Sequence, residues 1–432
     1  MSARPARDAE ADDEAPQDAE VTDAAGRFRD QLKDRATDRC ARGYIVQYIY
    51  TVLSWSLREF RGGRLSGGWQ LSGEGVSPLT NISAARAATP RSESDQQILE
   101  PDLVICDPHH HLWDLPDNGV SEFLLRMHMK RHRYLLPELL ADLACGHNVM
   151  STVFVDARAF YRVSGPVELH PVGETEFVNG IAAMSASGRY GPARVCAGFV
   201  CRADLTLGGR VEEVLLAHLH AAGSRFKGIR HGAAFDPSDQ IPRNSSGPPP
   251  HLYLQPAFRE GFAVLRRFGL SFDAWLYHPQ LSELIDLARS FPEQPIVLDH
   301  MGTPLGLGPY AGKRAQVLES WRASIRALAT CPNVYVKLGG LGMALCGFNF
   351  EHSASPVPYE SVAAAWKPYI ETSIDAFGTD RCMFESNFPV DEASTSYRTL
   401  WNAFKHIAAG CSASEKRQLF REVAESVYRI NT

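Results

Sequence analysis

Three observations predict an α/β protein whose main body is a closed, parallel (β/α)8 TIM barrel. From about Gln96 onward, short apolar runs alternate with longer helical stretches, the pattern that builds parallel sheets. Eight such runs are apolar almost throughout, as strands buried on both faces are. The first run leads directly into histidines, whereas a doubly wound open sheet would more naturally carry a glycine-rich turn there.

The strands are expected over 103–107 (LVICD), 151–157 (STVFVDA), 194–200 (RVCAGFV), 225–230 (RFKGIR), 271–277 (SFDAWLY), 295–300 (PIVLDH), 333–339 (NVYVKLG) and 381–386 (RCMFES). Helices are expected between them over Val211–Ala222, Ala257–Phe268, Leu281–Ser290, Ala315–Ala329 and Ser361–Phe377, the last stopping at Gly378. A closing helix over Glu415–Arg429 spaces Leu419, Phe420, Val423 and Val427 on one face, with Ser414 as its expected cap.

The barrel is assigned to 96–432, and 1–95 is a different kind of chain. Residues 1–30 hold nine acidic residues and four arginines with almost no large apolar side chains. Too little surface can be buried there to offset the entropy of ordering, so disorder is expected. One short helix fits 31–60, and 62–94 reads as a Gly/Ser/Pro/Ala linker. The apolar run Tyr44–Trp55 is about a dozen residues, against about 20 needed to span a bilayer, so integral membrane association is not expected. No secretory signal is apparent, and nine scattered cysteines without a C-x-x-C pair read as reduced thiols, which points to the cytoplasm. A net charge of −6 argues against nucleic acid as a partner. Oligomeric state is left open.

Barrel active sites gather at the C-terminal ends of the strands. There this chain places Asp107-Pro108-His109-His110-His111, Asp156-Ala157-Arg158, Arg230-His231, Tyr277-His278, Asp299-His300 and Glu385-Ser386-Asn387. Alternate residues of an extended segment share a side, so His109 and His111 can share one divalent ion. The other H-x-H, His218 and His220, lies in a helical stretch, where residues two apart do not share a face; it is expected to be a surface feature.

The stretch Asp107-Pro108-His109-His110-His111-Leu112-Trp113-Asp114 resembles the opening strand of the amidohydrolase superfamily, and more narrowly its amidohydrolase 2 branch of lactonases and decarboxylases. The segments FKGIRH (226–231), WLYHPQL (275–281), IVLDHMGTP (296–304) and FGTDRCMFESNFPVD (377–391) fit the same branch, over about residues 97–430. The resemblance implies a barrel enzyme that adds water to a lactone or related carbonyl compound, usually with zinc or manganese, though some lactonases of this branch work without metal. It implies His109, His111 and His278 as metal ligands. His300 would be a further ligand or polarise the substrate, with Asp299 orienting a neighbouring ring. Arg230, His231, Arg158 and Tyr277 would line a small-molecule substrate, in which a carboxylate on a lactone suits the arginine.

One departure matters. Where this branch usually has Ser-Asp-Trp-Pro, whose aspartate binds metal and takes the proton of the attacking water, the chain has Ser386-Asn387-Phe388-Pro389. Asparagine cannot act as a general base. Glu385 shares a strand face with Asn387, stands where a small residue is common, and is expected to take over part of the aspartate's role while Asn387 holds the substrate or a water. Asp391 is a weaker candidate base, expected to be a helix cap or solvated loop carboxylate. Non-oxidative decarboxylation of an aromatic or unsaturated acid is the alternative reaction, and a non-catalytic ligand-binding protein of the same fold is the alternative class.

Overall fold

The computed structural model describes residues 97–115, 125–242 and 247–430. The expectations for the extension, including the run from Tyr44, lie outside these residues. The strands are β1 (Val104–His110), β2 (Trp113–Asp114), β3 (Arg133–Tyr134), β4 (Asn148–Val155), β5 (Arg194–Arg202), β6 (Phe226–Arg230), β7 (Ser271–Ala274), β8 (Ile296–Leu298), β9 (Val334–Leu338) and β10 (Cys382–Phe384). Eight of them form one parallel sheet in the order β1-β4-β5-β6-β7-β8-β9-β10, while β2 and β3 pair separately and antiparallel.

The sheet curls into a nearly closed barrel because the chain leaving β10 returns to β1. Asn387 N–H donates to His109 O at 2.9 Å, and His111 N–H donates to Phe388 O at 2.8 Å. The buried carboxylate of Asp107 reinforces the seam, accepting from Ser386 N–H at 2.9 Å and from the Tyr397 hydroxyl at 3.0 Å. Burial nevertheless pushes its carboxyl up to about 6.

Helices form at Val211–Ala222 and Leu281–Ser290 as expected, and Arg314–Ala329 and Tyr359–Phe377 start one or two residues earlier. Pro256–Val264 tightens into a 3-10 turn over Leu265–Phe268 that ends at Gly269 with φ 61°. The sequence reading missed Leu136–Leu143, Val172–Ala186 and Tyr397–Ile407. The second of these is rich in small residues that blur any stripe, whereas the third spaces Tyr397, Leu400, Trp401, Phe404 and Ile407 at i, i+3, i+4, i+7 and i+10, a helical signal that went unread. That stripe faces the core, where Leu400, Trp401 and Phe404 are fully buried.

The last helical segment is capped by Ser412, not Ser414. Ser412 and Glu415 form a reciprocal capping box that starts the helix two residues sooner. It then passes through a π turn at Gln418–Glu422 before Val423–Val427. Val423, Ala424, Val427 and Tyr428 pack with Cys106, Val153, Val155, Val200, Val297 and Met383 of the barrel strands. His220 is exposed as expected, but His218 is buried, hydrogen-bonded to Thr175 Oγ1 (2.8 Å) and to Arg202 O (2.9 Å). Among the described residues all eight cysteines are free, and no helix is long and apolar enough to cross a membrane.

Candidate active site at the barrel mouth

The end of β1 brings His109 and His111 together, as alternate residues of a strand should be. Their Nε2 atoms are 3.3 Å apart, and both side chains are buried. His111 Nδ1 lies 2.8 Å from the carbonyl of Val155, which can only accept, so His111 carries its proton on Nδ1 and turns the Nε2 lone pair toward His109. His109 Nδ1 lies between an acceptor and a donor: Glu385 Oε2 at 2.8 Å and Lys337 Nζ at 3.2 Å. The gap between the two Nε2 atoms therefore holds either one proton or one cation. His110 points elsewhere, to Thr152 Oγ1 at 2.9 Å.

Glu385 anchors the second half of the site. Its Oε1 is 2.6 Å from His300 Nδ1 and also accepts from the His300 backbone N–H at 3.2 Å. Burial works against protonating His300, but the Glu385 carboxylate outweighs it and raises the pKa above the ordinary histidine value. Glu385 is held down to about 2, its burial outweighed by His300 and then His109. Two glycines after β9 make room for this pair. A Cβ on Gly339 would fall 2.4 Å from Glu385 Cγ, and one on Gly340 (φ 70°) would fall 2.3 Å from His300 Nδ1.

Beneath these rings lies a buried ionic network that the sequence reading did not include. Lys337 Nζ donates to Asp273 Oδ2 at 2.7 Å and sits 3.0 Å from Asp299 Oδ1, all three side chains having no exposed surface. Tyr428 donates to the same Asp273 oxygen at 2.6 Å. Burial opposes the charge on Lys337, but Asp273 and then Asp299 outweigh it and raise its pKa. The signal was present: Lys337 and Asp273 are charges inside otherwise apolar strands, and a buried charge needs a partner.

Asn387 has φ 53°, a left-handed conformation asparagine tolerates. Its Nδ2 donates to Asp391 Oδ1 at 2.8 Å, while Asp391 Oδ2 accepts from Gly342 N–H at 2.9 Å. Asp391 is thus no solvated carboxylate and no helix cap. It is fully buried, and begins a 3-10 turn at Asp391–Ala393. Burial pushes its carboxyl up to about 7 against the pull of His300 and these hydrogen bonds. A carboxyl raised on folding makes the native state bind more protons than the unfolded chain between the ordinary value and about 7, so stability falls as pH rises through that window. Asp391→Asn is expected to gain on the order of 2–3 kcal/mol relative to the parent on going from pH 5 to pH 8. Denaturant unfolding of both proteins at the two pH values measures it, and a pH-independent difference would remove Asp391 as the titrating group.

Arg230 joins the histidine centre. Its Nη1 is 3.4 Å from His109 Nε2, Nη2 donates to the carbonyl of Asp156, and the carboxylates of Asp156 and Asp299 lie at 3.5 and 3.8 Å. The remaining expected residues take other partners. His278 Nδ1 accepts from Leu305 N–H at 3.2 Å with its ring against Tyr310, and burial lowers its pKa to about 4. His231 Nδ1 accepts from Leu205 N–H at 3.2 Å, Tyr277 donates to Pro242 O at 3.2 Å, and the exposed Arg158 lies 6.0 Å over the Tyr161 ring.

The centre fits a divalent cation. Two imidazole nitrogens bound tetrahedrally to zinc at about 2.0–2.1 Å stand about 3.3–3.4 Å apart, matching the His109–His111 spacing. His109, Asp299 and His300 also offer ligand atoms within 4.8 Å of one another, and His278 is not in that group. Both Asp299 oxygens and Glu385 Oε2 are buried without a directed hydrogen bond. Here the carboxylates of Asp156, Asp273, Asp299 and Glu385 outnumber the permanent cations Lys337 and Arg230, which leaves negative charge for an imidazolium or a metal ion to balance.

A barrel with histidines and carboxylates at its strand ends is an architecture of metal-assisted hydrolases, and the amidohydrolase family model (Amidohydro_2) matches residues 106–430. The chain belongs to this family, which is typically metal-dependent, and it is a hydrolase by class. It is similar to the protein y4mH of Sinorhizobium fredii, 34% identical over 337 residues that cover 76% of this chain and 99% of that protein. An L-fucono-1,5-lactonase of Burkholderia ambifaria is 30% identical over 135 residues, 31% of this chain and 40% of the relative. Among solved structures, an amidohydrolase from Burkholderia multivorans with bound zinc superposes with a TM-score of 0.58 at 22% identity, covering 76% of this chain and all of that one.

Proposed function

We propose that the chain hydrolyses a carboxylate-bearing lactone at the barrel mouth. The observation that carries this reading is the Glu385–His300 pair beside the facing His109 and His111 rings: an imidazole oriented for proton transfer next to a place for an electrophile. The likeness to an L-fucono-1,5-lactonase and to a zinc-bound amidohydrolase supports it. Bound between His109 and His111, with Asp299 completing its ligands and His278 a more distant candidate, zinc or manganese would polarise the carbonyl; in a metal-free enzyme the proton held between the two facing Nε2 atoms would be donated to it instead.

The residues of the chain divide the remaining work. Glu385 holds His300 through Nδ1, leaving Nε2 to take the proton of the attacking water. As the ring C–O bond breaks, the same nitrogen returns that proton to the ring oxygen, and the product is a hydroxy acid. Asp391 occupies the Asn387 amide N–H, so the amide oxygen is left to accept from the water. Arg230 would pair with the substrate carboxylate, and His231, Tyr277 and Arg158 would line its approach.

Two measurements test this. Acid release from a panel of sugar lactones and carboxylated lactones should show turnover; carbon dioxide release from aromatic acids with no lactone hydrolysis would replace the proposal with decarboxylation. Elemental analysis of protein purified without chelator should show about one equivalent of zinc or manganese that His109→Ala/His111→Ala lacks. Equal metal in both proteins would move the ion away from the histidine pair.

A further inference from the structure

We propose that His128, Glu351 and His352 form a second divalent-cation site, separate from the histidine centre, which ties the segment before β3 to the loop after β9. These three side chains offer ligand atoms that all lie within 4.8 Å of one another. The two imidazoles meet edge to face, with centroids 5.0 Å apart and planes at 90°. Glu351 is the second, independent observation. Its side chain is only 3% exposed, yet its ion-pair contact, to His352 Nε2, is 3.8 Å long, beyond hydrogen-bond distance. Among the described residues no hydrogen bond reaches this carboxylate.

A carboxylate largely covered by protein and without a donor is costly, and a cation between it and the two rings offsets that cost. Two imidazoles and one carboxylate are also the ligand set of three-residue zinc sites, which leave a fourth position to water. His352 is 60% exposed on its side chain, so an ion can reach the site from solvent. Imidazole-rich sets favour zinc over magnesium or calcium, which prefer oxygen.

Both halves are held in place without the ion. Met127, next to His128, is buried with Tyr277, Leu305, Met343 and Leu345, and Arg126 Nη2 donates to Gln240 O at 2.6 Å. On the other side Phe350 stacks on Phe348, whose ring carries the Arg314 guanidinium at 4.0 Å. The geometry is therefore partly built before binding, which lowers the entropy that binding must overcome.

Zinc titration of the full chain against a chromophoric chelator tests the site. The parent protein is expected to take up one more equivalent than His128→Ala/His352→Ala, and Glu351→Gln to weaken that equivalent tenfold or more. His220→Ala, an exposed histidine elsewhere, should leave the count unchanged. Equal stoichiometry and affinity in the parent and the double variant would overturn the proposal, as would an equal loss in His220→Ala, which would mark surface histidine binding. The comparison reads a difference between variants, so it stands whether or not the barrel centre binds metal or the chain hydrolyses lactones.

Discussion

Lys337→Met is expected to destabilise the protein by about 3–5 kcal/mol, because removing one partner of a buried ion pair leaves the others uncompensated. Lys337 has no exposed side-chain surface and serves two buried carboxylates, Asp273 at 2.7 Å and Asp299 at 3.0 Å. Even with the lysine present, burial raises Asp273 to about 6. Without it, Asp273 must rise further. A carboxyl whose folded pKa is raised loses stability as pH climbs from its unfolded value toward its folded one, so the variant should fare worst at alkaline pH. Urea unfolding at pH 6 and pH 9 measures both the loss and its slope. Lys337→Met/Asp273→Leu should recover part of it, since replacing buried charges together with apolar residues is often nearly neutral. A single variant within 1 kcal/mol of the parent would mean that another group neutralises Asp273 and Asp299.

The barrel was legible because each strand is a run of apolar residues whose chemistry starts where the run stops. The H-x-H spacing likewise foretold that His109 and His111 would meet, because a strand's period of two settles it locally. Other features depend on residues far apart in the chain. Glu385 was singled out as an unusual charge beside Asn387, but its pairing with His300, 85 positions away, follows from β8 and β10 both flanking β9 and from the two glycines that open the space between them. Asp391 looked like a loop residue because Phe388-Pro389-Val390-Asp391-Glu392-Ala393 follows a strand end and a proline with no helical or strand period of its own. Only the fold shows that the loop turns back under Gly342 and buries it. Lys337 and Asp273 were the reverse case: the local signal was present in both strands, and what the sequence lacked was the strand neighbourhood that joins them.

Glu385→Gln is expected to lower kcat by about 100- to 10,000-fold, the range for loss of a proton-transfer group, while KM changes little. The substitution keeps the shape of the side chain and its burial. It replaces one carboxylate oxygen with an N–H donor, and the native oxygens face His300 Nδ1 at 2.6 Å and His109 Nδ1 at 2.8 Å. One ring then meets a donor where it had an acceptor, and either His300 loses its orientation or the His109–His111 gap changes its occupancy. The effect should appear in kcat because Glu385 touches the rings that act on the substrate and not the substrate itself. A purely structural loss would instead reduce the amount of folded, active protein and leave kcat per active site unchanged, which active-site titration or the unfolding midpoint separates. Coupling gives the sharper test. If Glu385 works by positioning His300, then Glu385→Gln added to His300→Ala should cost far less than it does alone, since residues acting as a unit are not additive. Additive losses would assign Glu385 a role independent of His300, through His109. Full turnover in Glu385→Gln would remove it from the reaction and leave Asp391, held against Asn387, as the buried carboxylate still available to the attacking water.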